Sequence, residues 1–96
     1  MKPSVMLHSN RDAIRRLALA HRVTNVRVFG SVLRGEDVEG SDLDLLVDPT
    51  PDTTLFDIGA IQAGTQRLLG VPVDVLTPNS LPEKYRQRVL EEAMPL

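Results

Sequence analysis

Gly30-Ser31-Val32-Leu33-Arg34-Gly35-Glu36-Asp37-Val38-Glu39-Gly40-Ser41-Asp42-Leu43-Asp44 is the stretch on which the reading of this chain turns. It has the form G-S-x10-D-x-D. Just before it, Val26-Arg27-Val28-Phe29 is β-branched and aromatic, the composition of a short strand running into Gly30-Ser31. Just after it, Asp42–Asp48 alternates acid and aliphatic until Pro49-Thr50-Pro51-Asp52 stops it, which predicts a second strand. Residues 32–41, with Gly35, Gly40 and four charged groups, read as a short helical turn and a loop.

In a strand, residues two apart share a face, so Asp42 and Asp44 point one way while Leu43 and Leu45 point to the core. Two adjacent carboxylates repel one another unless a cation intervenes. Carboxylates together with phosphate oxygens are the usual way of holding Mg²⁺, a hard cation that keeps several waters. Asp74, within Val73-Asp74-Val75-Leu76, is an isolated acid between aliphatics. If that strand neighbours the second, three acids meet, enough to hold two metal ions and orient an oxygen nucleophile toward phosphorus. Gly30 lets the backbone approach a phosphate without a Cβ in the way. Ser31 offers a hydroxyl and an N–H, and a helix starting there adds the positive end of its dipole. Arg34 can reach the same phosphates with a planar fork of donors.

Taken singly, a D-x-D is usually two solvated acids and a Gly-Ser is usually a turn. The ordered set describes a site for a nucleoside triphosphate and divalent metal. Other motifs fail. There is no G-K-[ST], hence no P-loop. Leu46 and Val47 stand where a calcium loop needs an oxygen ligand and a glycine. His8 and His21 are too isolated in sequence to serve as zinc ligands. Asp37 and Asp48 read as turn or strand-end acids, and Tyr85 as a core-packed ring with a wet hydroxyl.

Around this centre, Ser9-Asn10 offers an N-cap, and Ile14, Leu17, Ala18 and His21 follow at helical spacing, predicting a first helix over 10–22. A second helix is expected over 54–69, with Leu55, Ile58, Ile61, Leu68 and Leu69 near one face and Gly70 as C-cap. Gly59 and Gly64 weaken it or permit close packing on the sheet. A third strand is expected over 71–76. A closing helix over 81–93 follows, its inner stripe formed by Leu81, Tyr85, Val89 and Ala93. The order α-β-turn-β-α-β-α predicts one α/β domain over 1–96, helices packed on a small sheet.

Ninety-six residues are near the lower limit for a self-sufficient core, and 42% hydrophobic content argues against disorder. With three aromatics and no Trp, the core must be aliphatic. The lack of Cys removes disulfides and thiolate metal sites and is compatible with the cytoplasm. No apolar run reaches the roughly 18–20 residues of a membrane span, and Met1-Lys2-Pro3-Ser4 does not begin a signal peptide. Residues 1–34 carry seven bases and one acid, whereas residues 35–80 carry nine acids against Arg67 alone. The bases at 11, 15, 16 and 22 are accounted for by the wet side of the first helix. The acidic middle disfavours a nucleic-acid groove and suits metal or a basic partner.

Gly30-Ser31-Val32-Leu33-Arg34-Gly35-Glu36, followed by Ser41-Asp42-Leu43-Asp44-Leu45-Leu46-Val47, resembles the DNA polymerase beta-type nucleotidyltransferase superfamily, in particular its minimal, antitoxin-type branch. The similarity extends over nearly the whole chain, including Val-Pro-Val-Asp-Val at 71–75. The resemblance implies a polymerase beta-like fold, a small mixed sheet with helices packed on it. It implies Gly30, Ser31 and Arg34 at the nucleotide phosphates, and Asp42, Asp44 and Asp74 as metal-binding catalytic acids holding Mg²⁺, two ions in all. The pattern departs at Val32, where many relatives carry a base, which leaves Arg34 as the phosphate arginine. The implied activity is AMP transfer from ATP to a tyrosine hydroxyl of a partner HEPN-domain ribonuclease toxin, neutralising it. Two other readings stand beside it: an antitoxin acting only by complex formation, and transfer to a small molecule or RNA end. The short chain leaves nothing for a second wall of the cleft, so the acceptor is expected to come from a partner protein.

Overall fold

The β-branched run before Gly30 and the alternating acid–aliphatic run after Ser41 pair side by side in the computed structural model, which describes residues 1–96. Strand β1 (Val23–Phe29) lies antiparallel to β2 (Leu43–Pro49), with Phe29 opposite Asp44 and Val28 opposite Leu45. Strand β3 (Val73–Leu76) runs parallel to β2, and a two-residue β4 (Met94–Pro95) closes the other edge against β1. The sheet order is β3-β2-β1-β4, a mixed sheet as expected. Five helices accompany it: α1 (Pro3–Ser9), α2 (Arg11–Leu19), α3 (Gly30–Arg34), α4 (Leu55–Leu69) and α5 (Glu83–Glu92).

The two-residue period of the strands decides the layers. Val26, Val28, Leu43, Leu45, Val47, Val73 and Val75 form one face, packed on Leu7, Ile14, Ala18, Ile61 and Leu69 of α1, α2 and α4. The opposite face carries Asp44, Asp48, Asp74 and Arg27, with a smaller apolar cluster of Phe29, Leu46 and Leu81 against which Val89 and Ala93 rest. Arg27 and Asp48 pair there at 2.7 Å, so Asp48 is a cross-strand ion-pair partner rather than a loose strand-end acid.

Several sequence expectations are corrected. The first helix is two helices. Pro3 starts α1, where its fixed φ suits the first turn. Asn10 ends α1 and precedes α2, but its side chain donates back to the Met6 carbonyl and does not cap α2. Helix α4 is capped reciprocally by Thr54 and Asp57 and stopped by Gly70 in the left-handed region. Its buried stripe is Ile61, Thr65 and Leu69, while Leu55 is 88% exposed and Leu68 also faces solvent. Gly64 makes room for Leu17 of α2, a helix–helix contact and not a helix–sheet one. The closing helix begins later than expected because Thr77 caps a 3₁₀ turn over Pro78–Ser80, and it buries no residue fully.

The exposed edge of β3 is covered in a way no local pattern signals. Gln66 Oε1 accepts from the Val73 N–H and Gln62 Oε1 from the Val75 N–H, at 3.1 and 3.3 Å. Two glutamines one helical turn apart on α4 thus satisfy alternate donors of an edge strand. The residue between those donors is Asp74.

Asp37 is not a simple turn acid either. It is 5% exposed, and its Oδ2 accepts from the Ser4 N–H at 2.8 Å, satisfying a free donor of the first turn of α1. Burial alone would raise its carboxyl. Bonds from Ser4 and from its own backbone, with Lys2 nearby, outweigh that and hold it below the usual value. A depressed carboxylate contributes stability above its unfolded pKa and loses it as pH falls. Asp37→Ala is therefore expected to cost about 1–2 kcal/mol in urea unfolding at pH 7, with the deficit shrinking as the pH is lowered below about 4.

Candidate active site

The chain leaves β1 through Gly30 at φ +77°, a conformation few residues other than glycine adopt. A second constraint acts at the same position. A Cβ on residue 30 would collide with Oδ2 of Asp44, because the β1–β2 register places Phe29 opposite that acid. The sequence signal for Gly30 was phosphate access. The structure adds that Gly30 must be bare for the Asp44 carboxylate to lie against the backbone.

Asp44 faces Asp74 in the parallel β2–β3 register. Asp42 lies just before β2, exposed, and Leu43 between the acids is fully buried. Burial raises the Asp44 carboxyl most, then the charges of Asp74 and Asp42, with Arg34 opposing; together they push it up to about 6. None of the three acids takes part in an ion pair within the chain. The acids are neighbours, yet no three acidic or imidazole side chains gather closely enough to cage a metal on protein donors alone. Hard carboxylate oxygens in mutual repulsion fit Mg²⁺, whose remaining positions are normally filled by water and phosphate. Asp42, Asp44 and Asp74 are the residues that would hold it.

Ser31 is half-buried in the first turn of α3, a helix with no side-chain cap at its start. Val32 is buried in the main core. The position where a base was expected is therefore spent on packing. Arg34 is exposed beside the site, its Nε 2.6 Å from Glu36 and its Nη1 3.8 Å from Glu92 of α5. It also borders a cleft of about 240 Å³ that runs from Gly30 to α5, with Leu76, Leu81, Tyr85 and Arg88 along its walls. Tyr85 is thus a cleft residue, 42% exposed, and not a core ring. Sequence reasoning missed Arg88 and Glu92 at this cleft. The only available signal was the narrow apolar stripe of α5, too thin to bury the helix.

The profile of the nucleotidyltransferase domain family matches residues 10–96 of this chain. A solved structure described as a candidate minimal nucleotidyltransferase superposes with a TM-score of 0.86 at 43% identity, covering 97% of this chain and 95% of its own. The protein adenylyltransferase MntA of Thermococcus cleftensis is 36% identical over 72 residues, 75% of this chain and 73% of that protein. A crystal structure of a toxin–antitoxin with AMP-PNP shares the fold, with a TM-score of 0.76 at 19% identity, covering 90% of this chain and 71% of that one.

Two consequences follow from the Gly30–Asp44 contact and the Asp44 environment. A carboxyl raised in the folded chain takes up a proton on folding between its unfolded value and about 6, so metal-free stability falls as pH rises through that window. Asp44→Asn is expected to raise the melting temperature of the metal-free chain at pH 8 and to change it little at pH 4. Gly30→Ala meets both a strained φ and a collision, and is expected to cost more than about 1 kcal/mol. Adding Asp44→Ala to it removes the collision, so chemical denaturation of the double variant is expected to recover part of the loss.

Proposed function

This chain belongs to the nucleotidyltransferase domain family, in its minimal branch, and from that premise we propose that it transfers AMP from ATP to a tyrosine hydroxyl of a HEPN-domain ribonuclease toxin, acting as its antitoxin. The observation that carries the reading is the β2–β3 register, which sets Asp44 against Asp74 beside the bare backbone of Gly30. The protein adenylyltransferase activity for which MntA is named supports a protein acceptor. The toxin–antitoxin structure with AMP-PNP supports a toxin as the partner and an adenine nucleotide as the donor. The residues act as one cytoplasmic domain in this reading.

Gly30 and Ser31 bind the triphosphate through a close-approaching backbone and the first turn of α3. Arg34 exchanges its carboxylate partners for phosphate oxygens, to which its fork is matched. Asp42, Asp44 and Asp74 would hold Mg²⁺, which would supply neutralisation of the charge on the triphosphate and the leaving group. The acceptor oxygen bonds to the α-phosphorus as the bond from that phosphorus to the bridging oxygen breaks. Pyrophosphate departs, and the hydroxyl proton passes to a carboxylate. In this reading Asp74, exposed on the edge strand β3, meets the incoming hydroxyl.

Incubation with α-labelled ATP, Mg²⁺ and the toxin is expected to place label on a toxin tyrosine. Asp42→Ala and Asp44→Ala are each expected to reduce transfer at least about 100-fold. Neutralisation that persists in both variants, with no label on the toxin, would overturn the enzymatic reading in favour of complex formation.

A further inference from the structure

The cleft between α3 and α5 is joined to the candidate active site but is not its acidic part. Gly30 and Arg34 stand at one end, and Asp42, Asp44 and Asp74 do not line it. Its floor is apolar, from Leu76 and Leu81, and α5 forms its outer wall. On that wall Tyr85 presents a partly exposed ring, with Lys84 Nζ at 5.5 Å and the Arg88 guanidinium carbon at 5.4 Å from its centre.

We propose that this cleft seats the nucleoside of the bound triphosphate and that the Tyr85 ring is the stacking face for its base. This rests on the nucleotidyltransferase reading and extends it to the part of the substrate that the motif residues do not touch. Three observations select the occupant. First, the cleft is continuous with the phosphate end at Gly30 and Arg34. A ligand whose phosphates lie there extends into it without a break. Second, its volume of about 240 Å³ falls short of the roughly 300 Å³ at which small-molecule pockets begin. That suits a nucleoside whose charged tail lies outside. Third, the charge is complementary. Arg34 and Arg88 line the cleft beside its apolar floor, and the one acid on its lining, Glu92, already faces Arg34. A flat apolar base on a polyanionic tail matches that pattern.

The stacking face reads base area rather than base edges, so purine triphosphates bind more tightly than pyrimidine ones. Glu92 stands where the ribose joins the phosphates and can accept from a sugar hydroxyl once Arg34 turns to the phosphates.

Calorimetric titration of the whole chain with Mg²⁺ and either ATP or inorganic tripolyphosphate tests this. Tyr85→Ala is expected to weaken ATP about tenfold while leaving tripolyphosphate affinity unchanged. Tyr85→Phe keeps the ring and is expected to bind ATP within about twofold of the parent. Because α5 buries no residue fully, the variants are expected to fold, and tripolyphosphate binding confirms it in the same experiment. Unaltered ATP affinity in Tyr85→Ala overturns the proposal and leaves the triphosphate reading intact. So does a parent chain that binds ATP no better than tripolyphosphate, which would hand the cleft to another occupant such as an acceptor side chain. Failure of the parent to bind either ligand overturns both readings.

Discussion

The Asp44 carboxylate occupies the space where a side chain of residue 30 would be. That single contact links the two halves of the motif. It requires the β1–β2 register that puts Phe29 opposite Asp44, and a one-residue slip would turn Asp44 inward and Leu43 outward. It requires the positive φ at Gly30 that lets the chain turn from β1 directly into α3. The ten residues between Ser31 and Asp42 are then a connection long enough to cross from the end of β1 to the start of β2. They also send Asp37 back to tie down α1.

A second constraint sits across the sheet. The parallel β2–β3 register sets like charges side by side, and burial adds to their cost on Asp44. Left alone, two such carboxylates would favour a shift of β3, the shortest neighbour of β2. The neighbours of Asp74 prevent it. Val73 and Val75 are locked into the core on one side, while their N–H groups are held by Gln66 and Gln62 of α4. The fold therefore holds a repulsive pair in place, and a bound cation would relieve the repulsion that packing maintains. This is how a site comes to be less stable than its surroundings without being loose.

The parts of this arrangement that were legible in the sequence are those written in local period. Alternation over 43–47 fixes which side chains of β2 face the main core, and Gly70 marks the end of α4 as its left-handed φ requires. Asp74 stood out because an acid between Val73 and Val75 has one face to occupy. What was not legible depends on partners distant in sequence. Strand β4 exists only because Met94 and Pro95 meet Val28 and Arg27. Asp37 looks like any loop acid until Ser4 is placed beside it, and Leu55 sits on the helical stripe but beyond the edge of the sheet that would bury it. Tyr85 misled for a similar reason. Its spacing on α5 matches Leu81 and Val89, yet the helix rests on the sheet only through its far end, where Val89 and Ala93 meet Phe29 and Leu46.

The ion pairs of Arg34 connect these layers. In the free chain its guanidinium spends its donors on Glu36 in its own loop and Glu92 on α5. Both contacts are exposed and therefore weak, so under the proposed function a triphosphate with several charged oxygens would outcompete them. Taking Arg34 away from Glu92 leaves that carboxylate at the mouth of the cleft without its cation and removes one tether of α5 to α3. Helix α5 buries no residue fully and packs on the smaller cluster through Val89. Under the proposed function, occupation of the phosphate end would therefore act on the wall that carries Tyr85 through one arginine shared between them. Val32 makes this coupling stricter, since with an aliphatic buried at that position no second base in the turn can take over the role.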